Sequence, residues 1–133
     1  MTQVSILEEG IDSLDTISKK LEERDSSVSI IKNLDDLKKL QTTTLLLSQK
    51  ISDSDEKIIN LARSLKIKKV ILINDNEKKF EVKKLLGGSI IKINYPQNDV
   101  YGLEVLLSFC IDGQKFITGS IESLTLKNLA KKV

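Results

Sequence analysis

The chain has no histidine and no tryptophan, a single proline (Pro96), a single cysteine (Cys110) and one methionine, Met1. Each shortage removes a class of chemistry. Hydrolytic nucleophiles are activated by a neighbouring base, most often histidine, and none exists here. Zinc and other transition-metal catalytic sites draw on His and Cys, so only carboxylates remain as ligands. One cysteine cannot build a disulfide framework, which suits a reducing compartment. Cys110 lies in the apolar run Leu106-Leu107-Ser108-Phe109-Cys110-Ile111 and is expected to be buried and inert. No apolar run approaches the roughly 20 residues that span a bilayer, and the start of the chain carries no signal-peptide pattern. A cytoplasmic protein without membrane contact is the expectation.

What is present is a globular balance. The 133 residues are 40% hydrophobic and 30% charged, the size of one domain with a core of its own. The formal charge of +2, from 21 basic and 19 acidic residues, is too small to announce nucleic-acid binding. Abundant Lys and Glu with few thermolabile residues suit a thermophilic source, although an AT-rich genome gives the same bias.

Periodicity divides the chain into alternating elements. Val4 to Leu7 is β-prone, and Ile11, Leu14, Ile17 and Leu21 then recur at helical spacing. Asp25-Ser26-Ser27 breaks that helix before a second strand, Val28 to Ile31. Leu34, Leu37 and Leu40 follow at helical spacing with Asn33 as a candidate N-cap. Thr42 to Ser48 is too apolar for an exposed strand, and Ser52 to Glu56 signals entry to a helix carrying Ile58, Ile59, Ala62 and Leu65. Val70 to Ile73 is the fourth strand; Lys78 to Leu86 predicts a helix closed by Gly87-Gly88; Ser89 to Asn94 is the fifth strand. Tyr101 to Ile111 predicts another helix, and Lys115 to Leu126 a possible hairpin. Five strands alternating with helices predict a three-layer α/β/α domain with a mostly parallel five-stranded sheet, spanning residues 1–133 as one unit.

Ligands of such sheets sit beyond the carboxyl ends of the strands. Those ends read Glu8-Glu9-Gly10-Ile11-Asp12, Lys32-Asn33, Ser48-Gln49-Lys50, Asn74-Asp75-Asn76 and Asn94-Tyr95-Pro96. Gly10 alone does not make a phosphate loop, which needs several glycines ahead of a helix. Glu8, Glu9, Asp12 and Asp75 are the one set that could hold Mg²⁺, against the more ordinary reading as helix caps and solvated loops. Lys66, Lys68 and Lys69, with Lys131-Lys132, are cations that could touch nucleic acid or simply solvate the strand flanks.

The order of these segments resembles the DHH phosphoesterase superfamily, the RecJ nucleases and their relatives, over about residues 4 to 110. Active members open with His-x-Asp-x-Asp-Gly after the first strand; the same spacing here carries Glu8, Gly10, Asp12 and Ser13. The resemblance places further metal ligands at Gln49, after the third strand, and at Asn74-Asp75-Asn76, where the name-giving Asp-His-His would end the fourth. Ser89 to Pro96 is similar to the strand that follows. Most ligands are therefore replaced, which implies a member without nuclease activity, without a metal or other cofactor, and without a small-molecule substrate. The second domain that closes the cleft in RecJ-type enzymes has no counterpart in this length.

Shortened, inactive members of this kind are known in archaeal DNA replication. The resemblance thus implies a scaffold that binds the GINS complex and supports activation of the MCM helicase within the CMG assembly, with DNA contact possible but not evident. Tyr95, Tyr101, Phe116 and Ile117 are candidate partner-binding residues, since aromatic and large apolar groups dominate interface centres. The ordinary reading of Phe116 and Ile117 is cover for the sheet edge. Two other readings stay open. One is a pseudo-receiver or protein-interaction domain, with Glu8-Glu9 as its acidic pair but Ser48-Gln49 where the phosphorylated aspartate belongs and no lysine after the fifth strand unless Lys92 serves. The other is a small enzyme with an all-carboxylate metal site.

Overall fold

A computed structural model describes residues 2–49, 55–74, 79–85, 89–96 and 99–111 of the chain. Six strands form one sheet: β1 (Gln3–Leu7), β2 (Ser27–Ile31), β3 (Thr44–Ser48), β4 (Lys69–Asn74), β5 (Glu81–Leu85) and β6 (Ile90–Asn94). Their order is β2-β1-β3-β4-β6-β5; every pairing is parallel except that of β5 with β6. Among the described residues three α-helices accompany them, α1 (Leu14–Glu23), α2 (Asp55–Ser64) and α3 (Val100–Cys110), with a short 3-10 helix at Leu34–Lys39. The α/β class and mostly parallel sheet agree with the sequence reading.

Side-chain alternation sorts the core into two layers. Val4, Ile6, Leu46, Ile71, Ile73, Ile91 and Ile93 meet Ile17 and Leu21 of α1 and Val105, Leu106 and Leu107 of α3. Their strand neighbours Leu7, Leu45, Leu47, Val70, Leu72 and Ile90 face the other way, against Leu37 of the 3-10 helix and Ile58 and Ala62 of α2. Central β3 is buried at every position, so its apolar run cannot alternate. Fully burying each of its leucines contributes on the order of 2 kcal/mol.

Two expectations are corrected. Residues 81–85 are not helical but form β5, so the sheet of the described residues has six strands rather than five and is mixed. Glu, Lys and Leu favour helix locally, yet this segment pairs with the outer edge of β6 and buries Val82 in the α1/α3 layer. Tertiary pairing outweighs a propensity of a few tenths of a kcal/mol per residue. The segment from Leu34 is 3-10 rather than α-helical, and Asn33 stands at its N-cap position without a side-chain cap bond. The hairpin expected at 115–126 and the Gly87-Gly88 cap lie outside the described residues.

Helices α1 and α2 end alike. Ser26 N–H donates to Leu21 O and Asp25 N–H to Glu22 O, while Ile67 N–H donates to Ala62 O and Lys66 N–H to Arg63 O. These are Schellman closures. Asp25 (φ 60°) and Lys66 (φ 59°) occupy their left-handed position, normally glycine's. The last carbonyls of α3 are bound differently: Lys69 Nζ donates to Phe109 O, and Thr44 Oγ1 donates to Cys110 O at 3.3 Å. A cation at a helix C-terminus is also favoured by the dipole.

Candidate functional site

The direction of chain crossing reverses between β1 and β3. From β1 the chain passes through α1 to β2 on one side; from β2 it returns past β1 to β3, then continues through α2 to β4. The carboxyl ends of β1 and β3 therefore flank a topological switch point, the place where open α/β sheets bind ligands.

The first residue beyond each of three strands is still held to its neighbour. Glu8 N–H donates to Ile31 O at 3.0 Å, Gln49 N–H to Ile73 O at 2.8 Å and Tyr95 N–H to Asn74 O at 3.1 Å. Register brings the polar residues to one end. Ser48 pairs with Ile73 and Asn74 with Asn94, and two residues beyond the Ile6–Leu46 pair stand Glu8 and Ser48. With neighbouring strands about 4.8 Å apart, Glu8, Gln49, Asn74 and Asn94 share the rim of the same sheet end. Asp75 and Asn76 lie outside the described residues.

After β1 the chain turns sharply: Ile11 N–H donates to Glu8 O at 3.3 Å, and Gly10 has φ 79°. A side chain there would be strained, so glycine at this position serves the turn. Ile11 tucks into the core, whereas Glu9, Gly10 and Asp12 are exposed and Glu8 is half-buried. Among the described residues no group of three or more Asp, Glu, His or Cys stands close enough to hold a metal ion. The carboxylates are distributed along the turn; amides fill the ends of β3, β4 and β6.

The sequence reading missed how this turn is anchored. Ser13, at the N-cap position of α1, does not cap its helix through its side chain; its Oγ is hydrogen-bonded to the Tyr95 hydroxyl at 2.7 Å. Tyr95 is 1% exposed, which corrects the expectation of a surface aromatic: it is a core residue tying β6 to the start of α1. Behind it lies Gly102 of α3, where a Cβ would meet Tyr95 Cβ at 2.5 Å and the Phe80 ring at 3.0 Å. Asp99 accepts from Gly102 N–H at 3.0 Å, fixing the start of α3 against Tyr95. Among the described residues Asn94 Oδ1 is buried without a hydrogen-bond partner, a cost of about 1–3 kcal/mol. An aromatic beside an Asn-Tyr-Pro turn was visible in the sequence; its partner 82 residues earlier was not.

Among the other candidates, Tyr101 is 37% exposed on α3 beside Val100 at 68%, while Phe116 and Ile117 lie outside the described residues. Lys69 is engaged with α3, so only Lys66 and Lys68 of its cluster are left to the surface. Cys110 is buried, as expected. Burial pushes its thiol up to about 12, opposed by the nearby Lys69 charge. No helix among the described residues is long and apolar enough to cross a membrane. No protein-family model, curated protein or solved structure matches the chain.

Proposed function

We propose that the chain is a degenerate DHH-type domain that works as a non-catalytic replication factor, binding the GINS complex and supporting activation of the MCM helicase. One observation carries this reading. The turn after β1 and the ends of β3 and β4, where the resemblance expects metal ligands, share one sheet end and carry Glu8, Gly10, Gln49 and Asn74. Two-metal hydrolysis needs several fixed ligands holding ions about 3.5–4 Å apart. Among the described residues Glu8 and Asp12 are the carboxylates at these ligand positions, and glycine and neutral amides stand in for most of the charged ligands, which supports a domain that offers its surface rather than a reaction. A cytoplasmic setting belongs to the same proposal.

The receiver reading shares the order β2-β1-β3-β4 with a further parallel strand in β6. The antiparallel β5 departs from strand–helix alternation in both readings; what counts against a receiver is Ser48-Gln49 at the end of β3, where its phosphorylated aspartate belongs.

The test is to restore the ligands. In a Glu8→His, Gly10→Asp, Gln49→Asp, Asn74→Asp variant, calorimetric titration with Mn²⁺ is expected to show binding that the natural chain lacks. The natural chain is expected to leave single-stranded DNA intact with Mn²⁺ present. Metal-dependent cleavage by the natural chain, lost in Asp12→Ala, would overturn the reading; a folded variant that binds no Mn²⁺ would count against the DHH framework.

A further inference from the structure

The two edges of the sheet differ in chemistry. Edge β5 reads Glu-Val-Lys-Lys-Leu, with Lys83 and Lys84 exposed and Glu81 paired to Lys83 at 3.3 Å. Charged residues on an edge discourage strand addition. Edge β2 reads Ser-Val-Ser-Ile-Ile, with no charge, proline or glycine, and Ile30 is 46% exposed. Among the described residues nothing pairs with its outer side.

Hydrogen-bond parity says which groups are open. Ser27 N–H donates to Thr2 O, and Ile31 O accepts from Glu8 N–H, so residues 27, 29 and 31 turn their backbone groups towards β1. Val28 and Ile30, between them, direct N–H and C=O outward. Their side chains share the α1 face: Val28 packs against that core layer, and Ile30 is in register with Ile6 of the same layer. Water can satisfy such a row of donors and acceptors group by group, whereas another extended strand satisfies it as a continuous ladder.

We propose that β2 is a pairing edge, and that its occupant is β2 of a second copy of this chain, antiparallel about a twofold axis at Ser29. Self-pairing suits this strand specifically. The axis sets Val28 opposite Ile30 of the second copy, and Ile30 opposite its Val28. Each pair exchanges both backbone hydrogen bonds and brings two β-branched side chains together. Just beyond the strand ends, exposed Lys32 of one copy lies towards the end of β2 that carries exposed Asp25 in the other, so the charges flanking the seam are opposite in sign. An isologous contact of this kind closes at two copies. So short a seam lies below the roughly 1,200 Å² of stable complexes, and the dimer is therefore transient and concentration-dependent.

The test combines sedimentation over a wide concentration range with residue-resolved amide exchange. Ser27, Ser29 and Ile31 are expected to be protected at every concentration, and Val28 and Ile30 to become protected only as dimer accumulates. Ile30→Pro removes an outward N–H without touching the ladder to β1, and Ile30→Lys places a charge opposite Val28. Each is expected to weaken association about tenfold or more. Lys83→Ala, on the other edge, is expected to leave it unchanged. A chain that stays monomeric to its solubility limit would overturn the proposal. So would protection of Val28 and Ile30 at all dilutions, which would assign the edge to an intramolecular strand, or a dimer that survives both Ile30 substitutions.

Discussion

Gly102, Tyr95 and Ser13 form a contact chain that couples the start of α3 to the turn after β1. At Gly102 the nearest obstacle to a Cβ is the Cβ of Tyr95 rather than the tip of a flexible side chain, so relief requires backbone movement. Gly102→Ala is therefore expected to destabilise the fold by about 1–3 kcal/mol, measured by denaturant unfolding. Tyr95→Phe keeps the packing and loses the bond to Ser13, at a cost of about 1 kcal/mol. Cys110 supplies a prediction in pH. Its folded thiol ionises near 12 against an ordinary value of 9.0, so the folded state holds the proton more tightly. Stability is unaffected below about 9 and falls as pH rises from there towards 12, because the unfolded chain ionises first. In Cys110→Ala that alkaline slope is expected to flatten, and the native thiol should resist thiol reagents until the chain unfolds.

Among the elements, the helix ends are the adjustable parts. Asp25 and Lys66 hold the left-handed closing position of α1 and α2, where a side chain costs roughly 1–2 kcal/mol and glycine costs unfolded-state entropy instead. Asp25→Gly and Lys66→Gly are each expected to raise stability by roughly 0.5–1 kcal/mol, seen as an upward shift in Tm. Lys69→Met acts in the opposite direction, leaving the Phe109 carbonyl without its charged donor, at about 1–2 kcal/mol. The Arg24–Glu104 pair between α1 and α3, at 2.8 Å but more than a third exposed, adds no more than about 1 kcal/mol. Strands β1, β3, β4 and β6 were legible because each is an apolar run too short for a helix and bounded by polar residues. Strand β5 was not. Lys83-Lys84-Leu85 carries helix-forming residues, and what makes it a strand is the open edge of β6, which no local window contains.

For the whole molecule, the layered α/β architecture follows from strand and helix alternation, whereas the sixth strand and its antiparallel sense do not. The candidate site was legible as a set of strand ends, because parallel sheets place all such ends on one side. That Glu8, Gln49, Asn74 and Asn94 share a rim depends on the order β2-β1-β3-β4-β6, a property of the assembled sheet. The anchoring of the Gly10 turn by Tyr95 depends on it too: this aromatic, expected at the surface, sits beneath the turn because β6 and α1 meet there. Among the described residues that rim carries one carboxylate, Glu8, and the amides Gln49, Asn74 and Asn94. The most direct measurement is size-exclusion chromatography of the purified chain mixed with purified archaeal GINS complex. The account predicts co-elution as one stoichiometric species; separate elution of a correctly folded chain would contradict it.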